Sequence, residues 1–545
     1  MEITCAITGK PFTISPRKQK YLAERNLPLP RVASWETLKW IESFRNRIYL
    51  YNATCAFSSK AILSCIPPEN GIPVYDTNIW NSEQWDATNY GIDYDFSKPF
   101  FVQLAALMKK VPLPAVTVVE STIENSPYVN GAVNLKNCYL TFICLDSQDC
   151  MFAWNVFNSS QVVDSVYCYF SELCFGCIDI DHCYNLLFCE SCIRCSDSAF
   201  LFNCQACKNC FGCVNLSNKE YCWYNEQLSK EEFEKRRKSV NLGSKNTVAE
   251  EEKRFKDLRK KFPIKYYRGK NIENSSGNYL LNSKNCHHCY LTSDSQDCED
   301  CIISLQAKDS FCVSSNRGAE LLYNCQSGSN YDNQFCNECL FTKNLQYCLY
   351  CTNGTSDCFG CISLRKKQYC ILNKQYSKEE YFSLIAKIKG QMLANDEYQD
   401  FFPKEMSPFY YNHSEAMSFF PLTKEQALAQ GFKWQDDTIE PFTTTYHIPD
   451  DIKDVKDDIL EQTLKCQKTG KKYRIVKQEL EFCRKMGVPI ATIAPIERIT
   501  ERSQFFAVHP LQTRACSHCL QPVETVYTDP ELEVLCESCY QQKVF

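Results

Sequence analysis

The chain has 545 residues, 44% hydrophobic and 23% charged, with 37 cysteines and a formal net charge of −5. That length exceeds one core and calls for several modules. The composition is that of a folded protein, and the acidic balance removes any global electrostatic reason to hold nucleic acid. The opening MEITCAITGK lacks the basic and apolar regions of a secretory signal, and no stretch approaches the ~18 apolar residues of a membrane span. The expectation is a cytoplasmic protein without membrane contact, whose thiols stay reduced or bind metal; the odd number of cysteines also speaks against a disulfide framework.

In chain order, residues 1–90 read as a degenerate zinc-ribbon-like α+β module. A shift of 461 residues lays Cys5 on Cys466, Thr8-Gly9-Lys10 on Thr469-Gly470-Lys471, Pro28 on Pro489 and Cys55 on Cys516, so the two ends are related. The same shift lays Cys519, Cys536 and Cys539 on Ser58, Tyr75 and Asn78. The first module should therefore fold without metal. Residues 91–125 form a helical or irregular connector.

Residues 126–228 carry the most ordered pattern. Between Cys138 and Cys222 all fifteen cysteines fall at positions divisible by three. The residue after each such position is often large (Tyr139, Trp154, Phe175), and the third is commonly Asp, Asn or Gly (Asp149, Asn155, Gly176). No helix of period 3.6 keeps that phase, and turn-formers this frequent exclude long helices. The pattern predicts a β-solenoid with cysteine as a small, buried inward ladder, its coil length a multiple of three with 12, 15 and 18 all open.

A shift of 148 residues lays Asp146-Ser147-Gln148-Asp149-Cys150 on Asp294-Ser295-Gln296-Asp297-Cys298, and Cys210-Phe211-Gly212-Cys213 on Cys358-Phe359-Gly360-Cys361. Residues 271–376 are thus a second solenoid copy. Cys312, Cys336, Cys339, Cys348 and Cys351 leave the phase and Cys358 restores it, which calls for irregular corners or a short insertion. Each copy ends in a Ser-Lys-Glu-Glu box, at Ser229 and Ser377, that suits a helix start.

Between the copies, residues 229–270 hold Lys235-Arg236-Arg237-Lys238, Arg259-Lys260-Lys261 and Tyr266-Tyr267-Arg268. Basic residues with aromatics can hold phosphate and stack bases. Glu231, Glu232, Glu234 and Glu250 to Glu252 interleave, however, and favour a solvated helical linker laced with salt bridges. A helix and an irregular connector fill 377–460.

Residues 461–545 contain the strongest chemical signal. Cys516-Ser517-His518-Cys519 and Cys536-Glu537-Ser538-Cys539 are two CxxC pairs separated by sixteen residues, the spacing of a zinc ribbon. Four thiolates complete a tetrahedral zinc and leave no open position, so the site is structural, one zinc per chain, with His518 a solvated neighbour. The runs Cys189-x-x-Cys192-x-x-Cys195 and Cys204 to Cys213 evoke an iron–sulfur string, but no proline follows them and they continue the ladder phase. No GxSxG elbow, phosphate-binding glycine loop or other catalytic set is present.

Cys-Phe-Gly-Cys, the Asn-Leu-x-Asn-Lys-x-Tyr-Cys of 215–222, and Tyr376-Ser377-Lys378-Glu379-Glu380-Tyr381 resemble an uncharacterised family of cysteine-rich proteins from uncultivated bacterial lineages. The likeness spans nearly the whole chain, including Phe262-Pro263, Lys265-Tyr266-Tyr267 and Pro421 to Glu425. It implies two zinc knuckles per terminal module, written C-x-x-C-G-K and completed by a later C-P-x-C. Here Thr8 and Thr469 stand where a second cysteine would, with Ala33 and Ala494 near the later pair. Those departures speak against three of four such sites and leave Cys5, Cys55 and Cys466 as buried remnants.

The sequence therefore reads as mainly β, with two tandem β-solenoids flanked by zinc-ribbon-like modules. It points to a non-enzymatic zinc-binding scaffold for a protein partner. The alternatives are a metal, iron–sulfur or redox protein using the ladders, and an RNA- or ribosome-associated factor using residues 235–270.

Overall fold

A computed structural model describes residues 1–317, 320, 322–398, 401–436 and 442–544. Strand makes up 31% and helix 26%, so parallel sheet is accompanied by a large helical complement. Among the described residues no helix is long and apolar enough to cross a membrane. The chain divides into two units, each assembled from segments far apart in sequence. One comprises Met1–Val116, Lys265–Gln435 and Ala507–Asp529, the other Thr117–Ile264, Asp436–Phe506 and Pro530–Phe545.

In the second unit the strands pair in parallel at a register of 12 residues: Tyr139 with Met151, Ser160 with Glu172, Val166 with Ile178, Tyr184 with Ser196. Bridges of the same step continue from Ser196 to Lys208 and on to Glu220. Every third residue, from Asn134 and Asn137 through Asp146 and Asp149 to Asn218 and Tyr221, has a positive φ near 50°. Four left-handed corners per 12 residues explain the recurrence of Asn, Asp and Gly, which tolerate that conformation best. Corner amides also stack: Asn125 donates to Asn137 at 2.9 Å, and Asn137 to Asp149 at 3.1 Å.

The residue after each corner points inward. Cys138, Cys144, Cys150, Cys168, Cys174 and their successors are all buried and, with Val156, Val162, Ile180, Leu186 and Leu201, form the core of this unit. Size is only part of the reason for cysteine. Cys189 Sγ donates to the Leu187 carbonyl at 3.3 Å and accepts the Leu201 amide, one 12-residue step on, at 3.4 Å. Ser159 does the same, donating to Phe157 at 2.8 Å and accepting from Ser171 at 3.1 Å. The corner leaves a carbonyl and an amide facing the core, and a small side chain that both donates and accepts satisfies them without a cavity.

The corresponding sheet of the first unit also steps by 12, as in Tyr290 with Ile302 and Phe311 with Tyr323. It then slips to 11 at Gln326 with Asn337 and lengthens to 13 at Lys343 with Ser356. One residue is lost and one gained, so Cys336 to Cys351 leave the phase and Cys358 rejoins it. Cys312 departs for a different reason: its φ is +48°, so it occupies a corner.

The Ser-Lys-Glu-Glu boxes start helices. Ser229 Oγ and Ser377 Oγ accept the Glu232 and Glu380 amides at 3.2 Å at the heads of Lys230–Ser239 and Lys378–Ala394. The charged linker carries the helices Lys230–Ser239 and Lys245–Arg259, and several of its arginines are engaged. Arg254 lies 4.0 Å from the Tyr224 ring centroid and Arg259 3.4 Å from that of Phe202, and Arg236 pairs with Glu232 at 3.0 Å.

The terminal segments share an element order. Helices Pro16–Glu24 and Ser34–Glu42 have counterparts Lys477–Met486 and Pro495–Ser503. The hairpin Tyr51–Thr54 with Ala61–Ser64 has the counterpart Gln512–Ala515 with Pro522–Thr525. Each counterpart lies 461 residues on.

Candidate metal centre

Cys516 follows the strand Gln512–Ala515 and Cys519 lies three residues later in the connecting turn. The Cys516 amide donates to Gln521 O at 2.8 Å and the Leu520 amide to Cys516 O at 3.0 Å, folding the turn over the sulfur. Cys536 follows the strand Val534–Leu535, and Cys539 sits in the first turn of helix Glu537–Val544. The four sulfurs lie within 4.8 Å of one another. A tetrahedron with ~2.3 Å zinc–sulfur bonds has edges of about 3.8 Å, so the set fits such an ion. Cys516 and Cys539 are buried, Cys536 half-buried and Cys519 exposed. Among the described residues this is the one group of three or more His, Cys, Asp or Glu side chains placed to hold a metal, and His518 is outside it.

The structure thus brings together all four residues expected from the spacing, and it shows the same turn three more times. Cys5, Cys55 and Cys466 donate their amides to Lys10, Lys60 and Lys471 O, each at 2.8 Å, while Gly9, Ser59 and Gly470 donate back to the cysteine carbonyls at 2.9 Å. Their sulfurs accept the Ala33, Asp76 and Ala494 amides at 3.4, 3.3 and 3.3 Å. Each of these amides belongs to the residue that starts a helix. Burial pushes these thiols up, but the helix-start amides and the Thr8, Ser58 and Thr469 hydroxyls, three residues on, outweigh it and hold all three below the ordinary thiol value. A hydroxyl stands where a second thiolate would, and it satisfies the sulfur by a hydrogen bond.

Sequence reasoning missed how the terminal segments attach to the sheets. Within the second unit the buried Arg498 pairs with Asp164 and, at 3.1 Å, with Glu479, while Arg502 reaches Asp164 at 3.7 Å. Within the first, the buried Lys18 donates to Cys312 Sγ at 3.2 Å and lies 3.7 Å from Asp300. Shifts of 461 and 148 lay Glu479 on Lys18 and Cys312 on Asp164. The two positions touch directly in the first unit, as Lys18 and Cys312, and are bridged by Arg498 in the second. The available signal was Cys312, the one ladder-region thiol displaced onto a corner.

The ladder thiols divide between two states. Burial pushes Cys168 well up and Cys183 to about 12, so these two remain protonated donors to the backbone, whereas hydrogen bonds from Cys144 and Cys150 hold Cys138 below the ordinary thiol value. Compared with protein-family models and with curated proteins, the chain matches none of either.

Proposed function

We propose that this protein is a non-catalytic scaffold for a protein partner, with Cys516, Cys519, Cys536 and Cys539 holding one structural zinc. In this reading the two 12-residue ladders are duplicated β-solenoids, the terminal segments are duplicated zinc-ribbon-type modules, and three of the four knuckle turns have exchanged metal for hydroxyl hydrogen bonds. The observation that carries it is the closed all-sulfur set: four thiols within 4.8 Å leave a tetrahedral ion no position for water, which suits a folding role and not a catalytic one. Soft sulfur ligands in tetrahedral number select zinc over magnesium or calcium. Buried thiols without disulfides suit a reducing compartment such as the cytoplasm. The RNA reading is the less favoured, since Arg254, Arg259 and Arg236 of the linker are engaged by aromatic rings and carboxylates of their own unit. Metal analysis with an optical spectrum on anaerobically purified protein tests the proposal. One zinc and no visible absorption is expected; a brown protein with several metals per chain favours the redox reading.

A further inference from the structure

The corner ladder of the second unit changes character at Phe170. One 12-residue step on, the ring of His182 stacks on Phe170 with centroids 4.8 Å apart and planes at 22°. One step back the corner residue is Asn158, then Asp146, both too short to cover a ring. Phe170 is 54% exposed, with His182 on one side of its ring. Its uncovered side lines a groove of about 480 Å³, with Gln148, Asn158, Ser160 and Glu172 around it. The groove sets this one aromatic ring among amides, hydroxyls and carboxylates, groups that orient a polar ligand by hydrogen bonding.

The charges around it narrow the ligand. Lys136 is the one cation of the lining, set against the carboxylates of Asp146 and Glu172, and its ammonium pairs with Glu124 at 3.0 Å. A phosphate would meet net negative charge here, which disfavours nucleotides and nucleic acid strands. A pyranose ring presents a face of C–H bonds to an aromatic ring and hydroxyls around its edge. Those hydroxyls can donate to carboxylates in charge-assisted bonds and exchange hydrogen bonds with amides.

We infer that the groove over Phe170 is a binding site for a neutral oligosaccharide, with Phe170 as the stacking platform and Asp146, Asn158 and Glu172 as hydroxyl partners. The inference rests on the reading of this protein as a binding scaffold and gives that scaffold a ligand class. Rungs above and below repeat every 12 residues along the sheet, so a chain of sugars has more than one rung to occupy.

The test uses the full-length protein with cellohexaose and chitohexaose as probes, followed by saturation-transfer NMR and calorimetry. At least one probe should bind saturably, with its ring C–H protons receiving the transfer. Phe170→Ala should weaken binding about tenfold, as expected for loss of an aromatic platform, while Asp146→Asn and Glu172→Gln weaken it less. An unchanged melting temperature in Phe170→Ala would show that the loss is not unfolding. Absence of binding at millimolar probe, unchanged affinity in Phe170→Ala, or binding of adenosine in place of both sugars would overturn the inference and leave the scaffold reading standing. Cleavage of a bound probe would support the site and overturn the scaffold reading, because a non-catalytic protein releases its ligand intact.

Discussion

The turns at Cys5 and Cys516 have the same backbone bonds and opposite ligand sets. At Cys516 three more thiols approach within 4.8 Å; at Cys5 the neighbour three residues on is the Thr8 hydroxyl and the next donor is the Ala33 amide. Only hydrogen bonds are available there to hold the turn against the helix start. The surroundings differ to match. Helix Ser34–Glu42 in the first module buries Leu38 and Ile41, and Phe44 beside it is fully buried. After Cys516 the exposed Leu520, at φ +63°, occupies the corner that Gly9 and Gly470 fill at the turns of Cys5 and Cys466.

Removing the metal should separate the two turns most sharply. Chelation, or Cys519→Ser, should unfold the C-terminal hairpin and helix, because structural zinc contributes on the order of 10 kcal/mol of binding free energy to folding. Amide exchange should rise across 507–544 and stay unchanged across 1–90. Equal loss of protection at both ends would show that the first module also depends on metal.

Next in size are the contacts that fix each terminal segment to its sheet. Arg498→Met leaves the buried Glu479 without its cation and Asp164 with only Arg502 at 3.7 Å, and removal of one partner from a buried ion pair costs about 3–5 kcal/mol. Lys18→Met should cost less, because Asp300 keeps His288 at 3.4 Å. Chemical denaturation of the two variants measures the difference, and equal losses would contradict the account of these positions.

The exchange of thiol for hydroxyl should hold inside the ladders too. Cys189→Ser keeps a donor and an acceptor and should cost about 1 kcal/mol or less. Cys189→Val strands the Leu187 carbonyl and the Leu201 amide and should cost about 1–3 kcal/mol more. If valine were tolerated better than serine, the ladder would be simple apolar packing.

The last effect is one of pH, spread over several pH units. Burial pushes the Glu479 carboxyl up to about 7 despite the adjacent Arg498, while the unfolded value is about 4.3. The folded state therefore holds this proton to higher pH, and its stability falls as pH rises between those two values, by at most about 1.4 kcal/mol per pH unit. Thermal melts from pH 4 to 8 should lose that slope in Glu479→Gln. An unaltered slope would place the titration elsewhere.

Much of this was legible because it is periodic or local. The three-residue phase of Cys138 to Cys222 follows from a corner at every third residue, and the four metal-site cysteines follow from their spacing. The 12-residue step was not legible, since the cysteines occupy too many inward positions to favour 12 over 15 or 18. It is set by which strands share hydrogen bonds. Nor could sequence show that residues 1–116 belong with 265–435, because that grouping depends on side chains such as Lys18 and Arg47 meeting partners nearly 300 positions away. The dual hydrogen-bonding role of the ladder thiols was hidden for a related reason: burial alone also predicts cysteine there, and only the serines at 147, 159 and 171 hinted at the polar requirement.

The central claim is that one turn of the four carries a metal and the others replace it. X-ray absorption at the zinc edge, with elemental analysis on anaerobically purified full-length protein, tests it most directly. The account predicts one zinc per chain with four sulfur neighbours at ~2.3 Å. Absence of zinc, a mixed sulfur and nitrogen shell, or a stoichiometry near four would contradict it.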